Sequence, residues 1–217
     1  MEALSQKFLA STEGARLMVQ IAKRAAYDSG MAPEEVPGHP AVVTMLTAGD
    51  RQGIAAIRTS RNRHFGFVPL SSGSEWKTLD EVSEVLVTTV DKLEDPQALE
   101  VYLFPAKEVR KALDASYAAR KAAGQKTSDG YGMWIGIDTD DSDKPYGGGS
   151  GLGDRFPPIA KFSYADISGE SAVSLDPVKP SSRPTTIAEV LSWARGWISE
   201  ISGVGADSVK LELKIEA

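Results

Sequence analysis

The sequence predicts an α+β protein: an N-terminal helix, a central mainly antiparallel or mixed sheet of about five strands, a covering helix, and a small C-terminal helix-strand unit. Three observations predict it. Apolar residues recur at helical spacing in three separate stretches, short β-branched or aromatic runs bounded by Gly, Pro and Asp lie between the first two, and the last apolar run alternates with polar residues as a half-buried strand does. The chain of 217 residues, 41% hydrophobic and 25% charged, can bury a core without covalent staples.

Residues 2–28 read as helix because Leu4, Phe8, Leu9, Leu17, Met18, Ile21 and Ala25 fall on one face, Glu13-Gly14 offers a break and Gly30 a stop. Pro33, Pro37, Gly38 and Pro40 mark a loop. Residues 41–47 and 54–59 are strands joined by a Gly/Asp turn, and a basic turn leads to a third strand over 65–70, so the three form a meander with a hairpin at its end. Residues 83–90 and 99–104 add two strands across the polar turn 91–96. Pro105 opens a helix from about residue 106 to 123, which Gly124 is placed to cap. Composition then shifts to Asp, Gly, Ser and Pro, which divides the chain into a core domain 1–124, a connector 125–158 and a helix-strand unit 159–217. Within the connector, residues 131–137 are apolar enough to dock as a strand. Residues 186–202 carry the apolar stripe Ile187, Val190, Leu191, Ala194, Trp197, Ile198 and Ile201 of a second helix, and residues 209–215 alternate as a strand.

Composition narrows the function classes. Zero cysteines exclude disulfides, thiolate metal sites and cysteine nucleophiles, and with only His39 and His64 available a Ser-His-Asp triad has little supply. No run of 18 apolar residues exists, and Met1-Glu-Ala-Leu-Ser-Gln-Lys lacks the basic start and apolar run of a signal peptide, so a cytoplasmic location with no membrane partner is expected. The net charge of −6 opposes tight nucleic-acid binding by the molecule as a whole and leaves room for a local basic patch.

Such a patch is written at one place. Arg58, Arg61, Arg63 and His64 fall within seven residues at the expected hairpin tip, where guanidinium groups grip phosphate or carboxylate through paired hydrogen bonds. Lys107, Arg110 and Lys111 cluster at the start of the helix after Pro105. Together these seven residues are the expected polyanion-binding set, provided the fold joins them; a solvated helix face is the plainer reading of the second group. No catalytic residue, metal ligand or cofactor is assigned.

The order helix, strand, hairpin, strand, strand, helix within residues 1–124 resembles the restriction-endonuclease-like (PD-(D/E)xK) fold. In that family one strand carries an Asp and the next carries Glu or Gln, any residue, then Lys, which bind a divalent metal and activate water. The corresponding phrase here is Ala56-Ile57-Arg58-Thr59-Ser60. Ala56 has no oxygen for a metal, Arg58 does not release a proton near neutral pH, residues 41–47 contain no Asp, and Glu13 is the sole acid at a matching location. The resemblance therefore implies a catalytically inactive relative.

Other patterns read as structure. Asp138, Asp140, Asp141 and Asp143 open like a calcium loop, but Asp143 stands where a Gly is needed and Gly149 where a bidentate Glu is needed. Residues 147–153 match a phosphate-binding loop only in glycine, and the following Asp154-Arg-Phe-Pro-Pro speaks against an immediate helix. Trp193 and Trp197, four apart, suit packing in a core or a subunit contact, and Trp76 is the tryptophan expected at the surface. The preferred function is a non-catalytic binding or accessory module with a local basic surface for nucleic acid or another polyanion. The alternatives are a metal-dependent nuclease with unrecognised ligands, or a structural subunit that assembles with itself or a protein partner through the C-terminal helix.

Overall fold

A computed structural model describes residues 6–36, 39–47, 52–139, 149–168, 191, 194, 195, 210 and 211. The chain divides into two compact units, Met1–Pro177 and Val178–Ala217. In the second unit Leu191, Ala194 and Arg195 are helical; Trp193, Trp197 and most of the expected strand 209–215 lie outside the described residues.

The first unit opens with α1 (Gln6–Leu9) and α2 (Thr12–Asp28). The break expected at Glu13-Gly14 falls slightly earlier, because the Ser11 hydroxyl accepts the Gly14 N–H at 3.0 Å and so caps the longer helix. Met18, Ile21, Ala22, Ala25 and Ala26 bury one stripe of α2, and its three alanines let the backbone approach the sheet closely. Thr88 ties the two together by donating its hydroxyl to the Met18 carbonyl at 2.9 Å.

Six strands follow in one mixed sheet: β1 (Met31–Val36), β2 (His39–Thr47), β3 (Gln52–Ser60), then β7 (Glu84–Val90), β8 (Ala98–Pro105) and β10 (Ala160–Ser163), hydrogen-bonded in the order β1-β2-β3-β7-β8-β10. Only the β3–β7 pair is parallel. The stretch around Pro33 expected to be a loop is the edge strand β1, where one row of backbone groups has no partner and a proline is tolerated.

The expected meander fails at its third strand. Residues 64–70 are not beside β3; β4 (His64–Phe67) leaves the sheet and pairs with β9 (Met133–Gly136), while β5 (Pro69–Leu70) pairs with β6 (Glu75–Trp76). The place beside β3 goes to β7, whose residues from Val85 to Val90 are buried on both faces. A strand that is apolar or hydroxyl-bearing throughout gains most from a central position, whereas β4 alternates between half-buried and buried sites and gains most as a one-sided ribbon. The apolar piece expected to dock within the connector is β9.

The sheet has a core on each face. On one, α2 covers Ala55, Ile57, Leu86, Val90, Leu99 and Val101. On the other, the β4–β9 ribbon and α3 (Ala106–Ala122) cover Ala56, Val85, Val87, Tyr102 and Phe104, with Phe65 stacked on Phe104 at 5.6 Å. Gly124, at φ +67°, ends α3 as its position suggested. The short helix α4 (Leu152–Arg155) does form before Pro157, contrary to expectation, and buries Leu152 in the second core. A final turn of helix, α5 (Tyr164–Ser168), follows β10. No helix among the described residues is long and apolar enough to cross a membrane.

Candidate anion-binding groove

The basic turn between β3 and β4 is tightened by the Ser60 hydroxyl, which accepts the N–H groups of Asn62 (3.3 Å) and His64 (3.0 Å). Arg63 takes a left-handed conformation there (φ +58°). That conformation turns its side chain inward, and only 8% of the residue is exposed. Its guanidinium makes a paired contact with Asp138 (2.6 and 2.8 Å) and also donates to Glu100 (3.1 Å), the Tyr102 hydroxyl (3.0 Å) and the Val90 carbonyl (2.6 Å). Asp138 foremost, then Tyr102 and Glu100, raise its pKa against the opposing effect of burial. Arg63, expected to protrude from the turn, is therefore buried and engaged by acids of the fold itself. Asp138, the first acid of the Asp-rich segment, is its counter-ion; Asp140, Asp141 and Asp143 lie outside the described residues.

Burial pushes the Tyr102 hydroxyl up to about 12, with the bond to Glu100 adding and Arg63 opposing. A tyrosine whose folded pKa is raised stabilises the fold fully below its ordinary value of 10.0, and that stability is lost as pH rises toward about 12. Urea midpoints measured across this range are expected to fall for the parent and to fall less steeply for Tyr102→Phe. Equal slopes would show that the hydroxyl does not titrate in this way.

The other expected site residues scatter. Arg61 is exposed at the turn, and His64, half-buried at the start of β4, has its Nδ1 at 2.7 Å from the Asn62 carbonyl. On α3, Lys107 and Lys111 are exposed. Arg110 is paired with Asp80 and Asp114 and bonded to the Ser74 carbonyl, and Arg155 bonds Glu108 at 2.9 Å. That bond foremost, with Lys111 and Lys107 adding charge, holds the Glu108 carboxyl below its ordinary range. Of the three expected residues on this helix, Arg110 is thus engaged by carboxylates, one of them outside the helix.

Arg58 differs from all of these. It stands on β3 on the face of Ala56, where its guanidinium lies 4.1 Å over the Phe67 ring, and Nη1 and Nε donate to the carbonyls of Ile57 (2.9 Å) and Gly66 (3.3 Å). Burial lowers its pKa below the ordinary guanidinium value. No carboxylate among the described residues is in ion-pair range of it. It lines an open groove of about 320 Å³ together with Gly66, Phe67, Val68, Lys77, Thr78, Gly132 and Trp134. None of Lys107, Arg110 and Lys111 lines this groove.

Lys77 is exposed and also has no carboxylate partner among the described residues. Its backbone N–H bonds the Val68 carbonyl at 2.9 Å, which fixes the groove wall. The next residue, Thr78, is held at φ +71°, ψ −37°, a conformation costly for a β-branched side chain. Thr78→Gly is expected to raise stability by about 1 kcal/mol, because roughly 2 kcal/mol of strain relieved outweighs roughly 1 kcal/mol of added chain entropy. A lower urea midpoint in the glycine variant would show that the strain is absent.

Of the two tryptophans among the described residues, Trp134 and not Trp76 is exposed: it is 46% accessible on the outer face of the β4–β9 ribbon, whereas Trp76 is 1% accessible. Sequence reasoning selects neither Trp134, one of four tryptophans able to stack on a ring, nor Lys77 as a site residue. The signal for the first was present, since alternation in Met133-Trp134-Ile135 puts the tryptophan opposite two buried side chains. For Lys77 there was none, because an isolated lysine after a loop is ordinary. Among the described residues no three His, Asp or Glu side chains converge as a metal ion would require.

Comparison with known proteins gave no match: no family model, no curated protein and no solved structure matches this chain. The fold and groove define an α+β domain with a cleft lined by Arg58 and Lys77, neither of which has a carboxylate partner among the described residues.

Proposed function

We propose that this chain is a non-catalytic binding module for nucleic acid or another polyanion, with Arg58 and Lys77 as its anion-holding residues. The observation that supports this best is a half-buried guanidinium with no counter-charge among the described residues, opening into a groove that holds a second cation, Lys77, with none among them either. A charge withdrawn from water without a partner is costly to the free protein, and an incoming phosphate or carboxylate recovers that cost on binding. The restriction-endonuclease-like resemblance is proposed on the same terms: Arg58 stands where that family's motif has its lysine, and Ala56, buried on the same face, offers no metal ligand. A cytoplasmic setting belongs to this reading.

The test is anisotropy of labelled DNA and RNA oligonucleotides, and of polyphosphate, at low and moderate salt. Arg58→Ala is expected to weaken binding about tenfold, or ~1.4 kcal/mol, and to lower the salt slope by about one unit for the lost phosphate contact. Failure of the parent to bind any of these at low salt would end the reading and bring assembly through the C-terminal helix forward. Metal-dependent cleavage of an oligonucleotide would instead favour the nuclease alternative.

A further inference from the structure

Among the polyanions that the groove could hold, we infer that its ligand is a single-stranded nucleic acid whose base stacks on Trp134 while its phosphates lie on Arg58 and Lys77; this rests on the anion-binding reading above. The reason is the way Trp134 is held. Its ring lies against the backbone of two glycines: a Cβ at Gly132 would stand 2.6 to 3.1 Å from the six-membered ring, and one at Gly66, the cross-strand partner, 3.1 Å from Cδ1. Gly132 must be glycine for the ring to lie there, whereas at Gly66 a Cβ would strike the Met133 carbonyl first and only crowd the ring. A large indole fixed on one side and 46% open on the other offers an apolar face that water solvates poorly and a planar ligand covers well.

The surroundings carry the same chemistry onward. Tyr131, 40% accessible, meets Trp134 in a perpendicular contact with centroids 6.4 Å apart, so the two rings form an aromatic corner. Lys126 places its ammonium 4.9 Å from the Tyr131 ring centroid. Arg58, Lys77 and Lys126 have no carboxylate partner among the described residues, while Asp129, the acid in the same loop, is engaged by the Ser72 N–H at 2.8 Å. Cations interleaved with exposed aromatic rings suit a strand whose bases are unpaired, because stacking needs a free base face and the backbone supplies the anions. A phosphopeptide or polyphosphate would satisfy the cations and leave the indole uncovered. A duplex would present phosphates with its base faces already occupied.

The experiment compares labelled oligothymidylate and oligouridylate, a duplex of the same length, and polyphosphate, using the whole chain. Trp134→Ala is expected to weaken both single strands roughly tenfold and to leave polyphosphate unchanged, while Trp134→Phe keeps most of the affinity. Arg58→Ala weakens all three kinds of ligand. Single strands are also expected to quench the parent's tryptophan fluorescence, a signal that Trp134→Phe removes; this readout decides the matter should the alanine variant unfold. Equal loss or no loss of single-strand and polyphosphate binding on Trp134→Ala, or a duplex that binds as tightly as the single strand, overturns the inference and leaves the anion site standing. Absence of binding to every probe removes both.

Discussion

Arg63→Ala is expected to destabilise the first unit by about 3 kcal/mol, the largest effect of any substitution in the basic turn. The guanidinium is the centre of a network in which Asp138, Glu100, Tyr102 and the Val90 carbonyl all aim at one side chain. Truncation leaves Asp138 and the Val90 carbonyl without their guanidinium donor, and Glu100, whose side chain is 13% accessible, keeps the Tyr102 hydroxyl that donates to it at 2.8 Å but has little water to replace the lost charge. Lys161 moderates the loss, because its ammonium bridges Asp91 and Glu100, each at 3.3 Å. Arg63→Lys is expected to recover less than half of the stability, since an ammonium cannot reproduce the paired contact with Asp138. Urea denaturation followed by far-ultraviolet circular dichroism reads both variants. Arg61→Ala, two residues away and exposed, serves as control with a change within about 0.5 kcal/mol. Equal effects at Arg61 and Arg63 would show that the inward network contributes nothing.

Trp76→Ala is expected to cost about 3 to 4 kcal/mol, the scale of removing a fully buried aromatic side chain. Trp76 joins α3 to the turn before β7: its indole N–H donates to Asp114 on α3 at 2.8 Å, its ring meets Tyr117 on the same helix edge-on at 6.3 Å, and its backbone N–H donates to Asp80 at 2.7 Å. It also precedes Lys77 and Thr78, so its loss loosens the groove wall. The alanine variant is therefore expected to lose anion binding as well as stability, whereas Arg58→Ala loses binding with little change in stability. Trp76→Phe keeps most of the ring and forfeits the Asp114 bond, for a cost of about 1 to 2 kcal/mol. A Trp76→Ala variant with an unchanged urea midpoint would contradict the packing described here.

What the sequence determined by itself is the local structure and the fold class. Helical spacing in residues 12–28 and 106–122, the Pro105 and Gly124 punctuation and the apolar run of β7 are each decided within a few residues, where propensity, capping and period act. Partner choice among strands was not legible. The turn at residues 61–63 carries the signals of a hairpin, yet β4 leaves for β9 because the doubly buried β7 competes for the place beside β3, a contest between segments over 20 residues apart that no local pattern records. The same limit applied to the site. Density of arginine marked the right turn, but whether a guanidinium serves the core or a ligand depends on which carboxylates the fold brings to it. Arg63 meets Asp138 from 75 positions away, and Arg58 meets none among the described residues. Charge is a property of the residue, whereas its compensation is a property of distance in three dimensions, and only the tertiary structure decided that.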